Sequence, residues 1–144
     1  MKQMISQLSI FLENESGRLA AATRAVSNAG SNMSALFLAD TQDFGVVRVL
    51  CDRPEKTADA LKAAGWRAAV TEVLAVKVPD HPGGLADLLE FLDEHNINVE
   101  YGYCISIKEG SAVDILKVSD PSVEETLAEA GFAPVKAEEV YEVD

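Results

Sequence analysis

The sequence predicts an α+β protein built from two βαββαβ units in tandem. Two observations carry this. Residues 80–98 (DHPGGLADLLEFLDEHNIN) follow an apolar run and read as a Gly-rich turn, an amphipathic helix and the start of a new strand. The same plan occurs 66 residues earlier, pairing Gly17 with Gly83, Leu19 with Leu85, Ala20 with Ala86 and Asn32 with Asn98. The register continues through Val47/Val113, Leu50/Leu116, Leu61/Leu127 and Gly65/Gly131, with a one-residue slip at Pro54/Pro121. A period this long exceeds the ~20–50 residues of solenoid repeats, so each copy is a small domain, residues 1–70 and 71–144.

The elements follow in order. Residues 5–12 are rich in β-branched and aromatic residues and read as a strand. Ser16 is the expected N-cap of a helix running to about Ala29, with Leu19, Ala22, Val26 and Ala29 facing the core and Gly30 ending it. Residues 32–39 and 44–51 form a hairpin around a turn at 40–43. Pro54 sits in the first turn of a second helix, whose apolar side is Ala58, Leu61 and Ala64 and whose stop is Gly65. Residues 67–78 are extended and both end the first copy and begin the second. That length is compatible with one continuous strand, a bent strand, or an exchange between copies.

The second copy repeats the order. A helix covers 83–95, with Leu85, Leu88, Leu89 and Leu92 as its buried stripe. Strands at 97–107 and 112–118 flank a turn at 108–111. Asp120-Pro121 opens a helix ending at Gly131, and a last strand covers 133–143. Each copy is thus the ferredoxin-like split unit, with two helices on one face of a four-stranded sheet.

Composition excludes several functions. The formal charge is −12 and the 12 basic residues are scattered, so neither nucleic acid nor an anionic membrane is an expected partner. No apolar run approaches the ~20 residues of a spanning helix, and residues 1–12 lack the pattern of a signal peptide. Cys51 and Cys104 read as reduced cysteines in or near a core, which places the protein in the cytoplasm. His81 and His95 have no second ligand at metal spacing, and no nucleophile elbow or phosphate loop is present. No metal, cofactor or catalytic residue is expected. Tyr101 and Tyr103 share a strand face, where they line a pocket, line the contact between copies, or pack as an aromatic pair on the sheet. Arg48 and Asp114 match under the register and are expected on the face away from the helices.

The βαββαβ pattern, the Gly-bearing first turns (ENESGRL at 13–19, DHPGGL at 80–85) and Asn at the start of strand two resemble the ACT domain, and the pair resembles stand-alone tandem ACT proteins. The first turn departs from the D-x-P-G-x-L form, having Asn14 and Ser16 in place of Asp and Pro. The resemblance implies a non-enzymatic regulatory protein that pairs side by side and holds a small ligand, most often an amino acid, between units. It places the site on the first turn of one unit and the start of strand two of its neighbour. Here those positions are Asn14, Glu15, Ser16, Gly17, Arg18 and Leu19 with Asn32 and Met33, and Asp80, His81, Pro82, Gly83, Gly84 and Leu85 with Asn98 and Val99. Turn N–H groups suit a carboxylate, Asp80 or Glu15 an ammonium, and the asparagines either group. A homodimer is expected. The alternative is a detached regulatory subunit that docks on an amino-acid biosynthetic enzyme.

Overall fold

The computed structural model describes residues 4–13, 15–40, 44–108 and 111–144. The elements are β1 (Ile5–Glu13), α1 (Arg18–Asn28), β2 (Met33–Asp40), β3 (Phe44–Cys51), α2 (Pro54–Ala63), β4 (Arg67–Pro79), α3 (Gly84–Glu94), β5 (Val99–Lys108), β6 (Ser111–Val118) and α4 (Val123–Glu129), with a 3-10 turn at Ala137–Glu139. β4 is one uninterrupted strand, which resolves the long extended stretch. Two compact units divide within it. The first comprises Ser6–Thr71 and Val140–Asp144, and the second Glu72–Glu139 with the N-terminal end of the chain. The expected turns at 40–43 and 108–111 fall largely outside the described residues.

In the first unit β3 lies between β2 and β1, antiparallel to both. Leu8, Ile10 and Leu12 of β1 and Val47, Val49 and Cys51 of β3 share one face. They form a core with Ala22 and Val26 of α1 and with Ala58 and Leu61 of α2, so both helices cover the same side. Ala64, expected on the apolar side of α2, is exposed because the helix has ended one residue earlier.

In the second unit β6 lies between β4 and β5, again antiparallel. Its core joins Leu74, Val76 and Val78 of β4, Leu116 and Val118 of β6, Leu88 and Leu92 of α3, and Val123 and Leu127 of α4.

Four expectations are corrected. Leu85 and Leu89 are 43% and 39% exposed, so only the Leu88–Leu92 half of the α3 stripe is buried. α4 begins at Val123 rather than at Pro121, because Asp120 Oδ1 accepts both the N–H and the hydroxyl of Ser122 and holds 120–122 as a turn. Residues 133–143 form no strand. Val135 N–H donates to Ala75 O and Lys77 N–H to Ala133 O, but Pro134 between them has no N–H to continue the ladder. Asp114 points toward the helices, because β6 presents even-numbered residues to the core where β3 presents odd-numbered ones. Its true counterpart is Val47, 67 residues earlier. Arg48 does lie on the face away from the helices, where its Nη1 donates to Ser9 Oγ.

The last residues close onto the first unit. Tyr141, 7% exposed, accepts the Ser6 N–H on its hydroxyl at 2.8 Å. Ser34 donates to Val140 O, Glu142 N–H donates to Asp52 Oδ1, and Arg53 N–H donates to Glu142 O.

Candidate functional site

The turn between β4 and α3 is built from Pro79 to Gly84. His81 N–H donates to Pro79 O at 3.0 Å, and Gly84 N–H to His81 O at 3.1 Å. Gly83 adopts φ 91°, a left-handed conformation that favours glycine. Gly84 is buried, and a Cβ there would collide with the Pro79 carbonyl. The two glycines therefore serve different needs: one turns the chain, and the other lets α3 start against the strand end. Among the described residues Asp87 N–H reaches Gly83 O, while the N–H groups of Leu85 and Ala86 find no acceptor. They point out of the helix N-terminus, where a negative group is favoured. Asp80, His81 and Pro82 are exposed around them, and His81 Nδ1–H donates to Pro82 O at 2.9 Å.

The first turn repeats this backbone. Gly17 has φ 85° and serves as the N-cap residue of α1 with no side-chain cap, so Ser16 does not cap the helix. Its left-handed turn places the chain as Gly83 does. Glu15 N–H donates to Glu13 O, Arg18 N–H to Glu15 O, and Ala21 N–H to Gly17 O, leaving Leu19 and Ala20 N–H groups open among the described residues. Asn14 lies outside the described residues. Arg18 replaces Gly84. Its guanidinium lies 4.7 Å from the Trp66 ring centroid, and its buried Nε has no acceptor. Arg18, Glu13, Trp66 and Arg67 line a recess of 180 Å³ beside this turn. The two turns thus share a backbone and differ in charge.

Within each unit the structure separates the turn from the start of strand two. Glu13 pairs with Phe44, while Met33 pairs with Cys51 at the opposite end of the sheet. Pro79 pairs with Ser111, and Val99 with Val118, in the same arrangement. Asn32 and Asn98 are exposed, and their carbonyls are taken by the segments that follow β3 and β6: Asp52 N–H donates to Asn32 O, and Ser119 N–H to Asn98 O. Met33 and Val99 are half-buried beside them.

His95 donates from Nδ1 to Phe91 O and stacks on the Phe91 ring at 4.2 Å, a structural role at the end of α3. Among the described residues no group of three His, Cys, Asp or Glu is placed to hold a metal. No helix among them is long and apolar enough to cross a membrane.

Sequence reasoning passed over one constellation. Cys104 on β5 and Asp114 on β6 are directly opposite, and the Cys104 thiol donates to Asp114 Oδ1 at 2.7 Å. Burial first, and then the Asp114 carboxylate, push the Cys104 thiol up to about 11. The available signal was an aspartate between the apolar residues Val113 and Ile115 in a strand.

These features place the chain in a family. Residues 3–132 match the model described as the ACT domain pair, so this chain belongs to the ACT domain pair family. It is similar to protein BT0572 from Bacteroides thetaiotaomicron, at 33% identity over 98% of each chain and a TM-score of 0.90. It shares the fold of the ligand-free regulatory subunit of aspartate kinase from Thermus thermophilus, at 12% identity, 88% and 89% coverage and a TM-score of 0.66. The same holds for the regulatory subunit of aspartate kinase from Thermus flavus, at 12% identity, 94% and 89% coverage and a TM-score of 0.57. No curated protein sequence matches the chain.

Proposed function

We propose that this chain is a non-enzymatic regulatory protein that binds an amino acid at its helix-opening turns. Membership of the ACT domain pair family supports a regulatory rather than catalytic role. The observation that carries the site is the Gly83-Gly84 turn, which leaves the Leu85 and Ala86 N–H groups open at the start of α3. They take the ligand carboxylate, and Asp80 takes its ammonium. At the first turn Leu19 and Ala20 N–H groups and the Arg18 guanidinium take the carboxylate, and Glu15 takes the ammonium. Asn32, Met33, Asn98 and Val99 serve the turn of a neighbouring ACT unit, since each lies at the far end of its own sheet.

The neighbour is supplied by a homodimer. Leu36 and Leu38 of β2 are 45% and 44% exposed and offer it an apolar surface. Two free cysteines and a charge of −12 suit a soluble protein of the cytoplasm. Ligand binding acts by favouring one arrangement of the units over another, which a partner reads.

Thermal unfolding against a panel of free amino acids and purines tests this. A ligand at ~100 times its Kd adds about 2.7 kcal/mol, a readily measured rise in Tm. A selective shift from one amino acid is the expected result. No shift across the panel would refute amino-acid sensing.

A further inference from the structure

The second unit has a pocket at a place where the first unit carries leucines. In the first unit Leu38 pairs with Val47 and Leu36 with Val49. At the same places in the second unit Cys104 pairs with Asp114 and Gly102 with Leu116. Two leucines and a valine have become glycine, cysteine and aspartate. The exchange removes apolar volume and adds a carboxyl group. A pocket of 230 Å³ lies there, walled by Leu85 and Leu89 of α3 and by Gly102, Cys104, Asp114 and Leu116.

Asp114 is 1% exposed. Its Oδ1 accepts the Cys104 thiol, but its Oδ2 is buried with no hydrogen-bond partner. A buried acceptor left open is costly, and a carboxylate has capacity for several donors. Water is a poor candidate for that place, because it needs two to four polar partners and the walls are mainly aliphatic. A metal is a poorer one, since Cys104 and Asp114 supply only two ligands. What remains is a donor attached to an apolar body. The volume lies below the ~300–1,000 Å³ of sites for drug-sized ligands, so that body is small. The charge of −12 favours a cation.

We propose that this pocket binds a small aliphatic amine, its ammonium donated to Asp114 Oδ2 and its apolar body seated against Leu85, Leu89 and Leu116. Cys104 lines the same pocket, is exposed, and holds Asp114 Oδ1, which leaves Oδ2 for the ammonium. The site uses no turn N–H group, so it stands or falls independently of the carboxylate site above.

NMR titration of the full chain with isopentylamine, and with isopentanol as its neutral counterpart, tests the proposal. The expected result is saturable shifts of the Leu85 and Leu89 methyls by the amine, with the alcohol binding about tenfold or more weakly. In Asp114→Asn the preference for the amine disappears. Absence of saturable shifts, or equal amine binding to wild type and Asp114→Asn, overturns it. Should that variant not fold, alkylation of Cys104 in the wild-type chain decides. The amine slows iodoacetamide at Cys104 if the proposal holds, and an unaffected rate overturns it. Isopentylamine has no carboxylate, so a failed amino-acid screen leaves this result intact.

Discussion

Asp144 caps α2 from the far end of the chain: its carboxylate accepts the Glu55 N–H at 3.0 Å and the Lys56 N–H at 3.0 Å. The residue that should cap this helix locally, Arg53, sits at φ 44° and supplies no side-chain acceptor. Asp144 is held in place by the Arg53–Glu142 ion pair at 2.8 Å and by the buried Tyr141. Capping residues contribute about 0.5–2 kcal/mol. Asp144→Ala is therefore expected to lower stability by about 1 kcal/mol in urea unfolding, and an unchanged midpoint would mean that the cap contributes nothing.

Cys104 and Cys51 should differ in reactivity. Burial raises the Cys51 thiol, and the side chain is inaccessible, so alkylation of the folded protein is confined to Cys104. With its thiol raised to about 11, Cys104 reacts slowly at pH 8, and its rate climbs with pH toward that value. Asp114→Asn removes the carboxylate that supports the shift and should move the midpoint of the rate profile down. The sign for stability follows. Between the ordinary thiol value of 9.0 and about 11 the unfolded chain loses its Cys104 proton while the folded chain keeps it. Folding is therefore favoured below that window and weakened as pH rises through it. A rate profile identical in wild type and Asp114→Asn would contradict the pairing.

Gly83 and Gly84 should respond differently to alanine. At Gly83 a Cβ meets open space, and the cost is the left-handed backbone, about 1–2 kcal/mol. At Gly84 the Cβ runs into the Pro79 carbonyl, which is backbone and cannot swing aside. Gly84→Ala must displace the start of α3 and with it the open N–H groups. Ligand affinity should fall more for Gly84→Ala than for Gly83→Ala, as calorimetry with the effector would show. The reverse order would refute the turn geometry.

Asp114→Val should stabilise the protein. It replaces a buried carboxyl having one unpartnered oxygen with the residue that the first unit uses at Val47. A gain of about 1 kcal/mol is expected, since burying an unsatisfied acceptor costs roughly 1–3 kcal/mol and the Cys104 thiol loses its acceptor in return. Urea unfolding measures it. A loss of stability would show that the Cys104–Asp114 bond outweighs the open oxygen.

Most of the fold was legible because apolar periodicity reports burial locally. The 3.6-residue spacing of Leu88 and Leu92 and the β-branched run of β3 each declare their element within a few residues. The turns were legible for a related reason: Gly17 and Gly83 occupy φ values that other residues avoid. The α3 stripe was misjudged at Leu85 and Leu89 because periodicity says which side of a helix is apolar and not how much of that side is covered. The last segment was misjudged because residues 133–143 have strand character while Pro134 interrupts the ladder. Asp114 was assigned to the wrong face by a one-residue slip between copies, and with a side-chain period of two, one residue reverses every orientation.

By itself the sequence determined the duplication, the tandem ferredoxin-like units, the glycine-bearing turns and the acidic composition of the chain. All of these depend on residues near one another or on composition. Tertiary structure alone decided that Asp144 caps a helix nearly ninety residues earlier, that Asp114 meets Cys104 over a small pocket, and that each turn lies at the opposite end of its sheet from the strand-two asparagine. Those relationships depend on strand pairing and chain return, which bring together residues whose separation along the chain carries no signal of their contact.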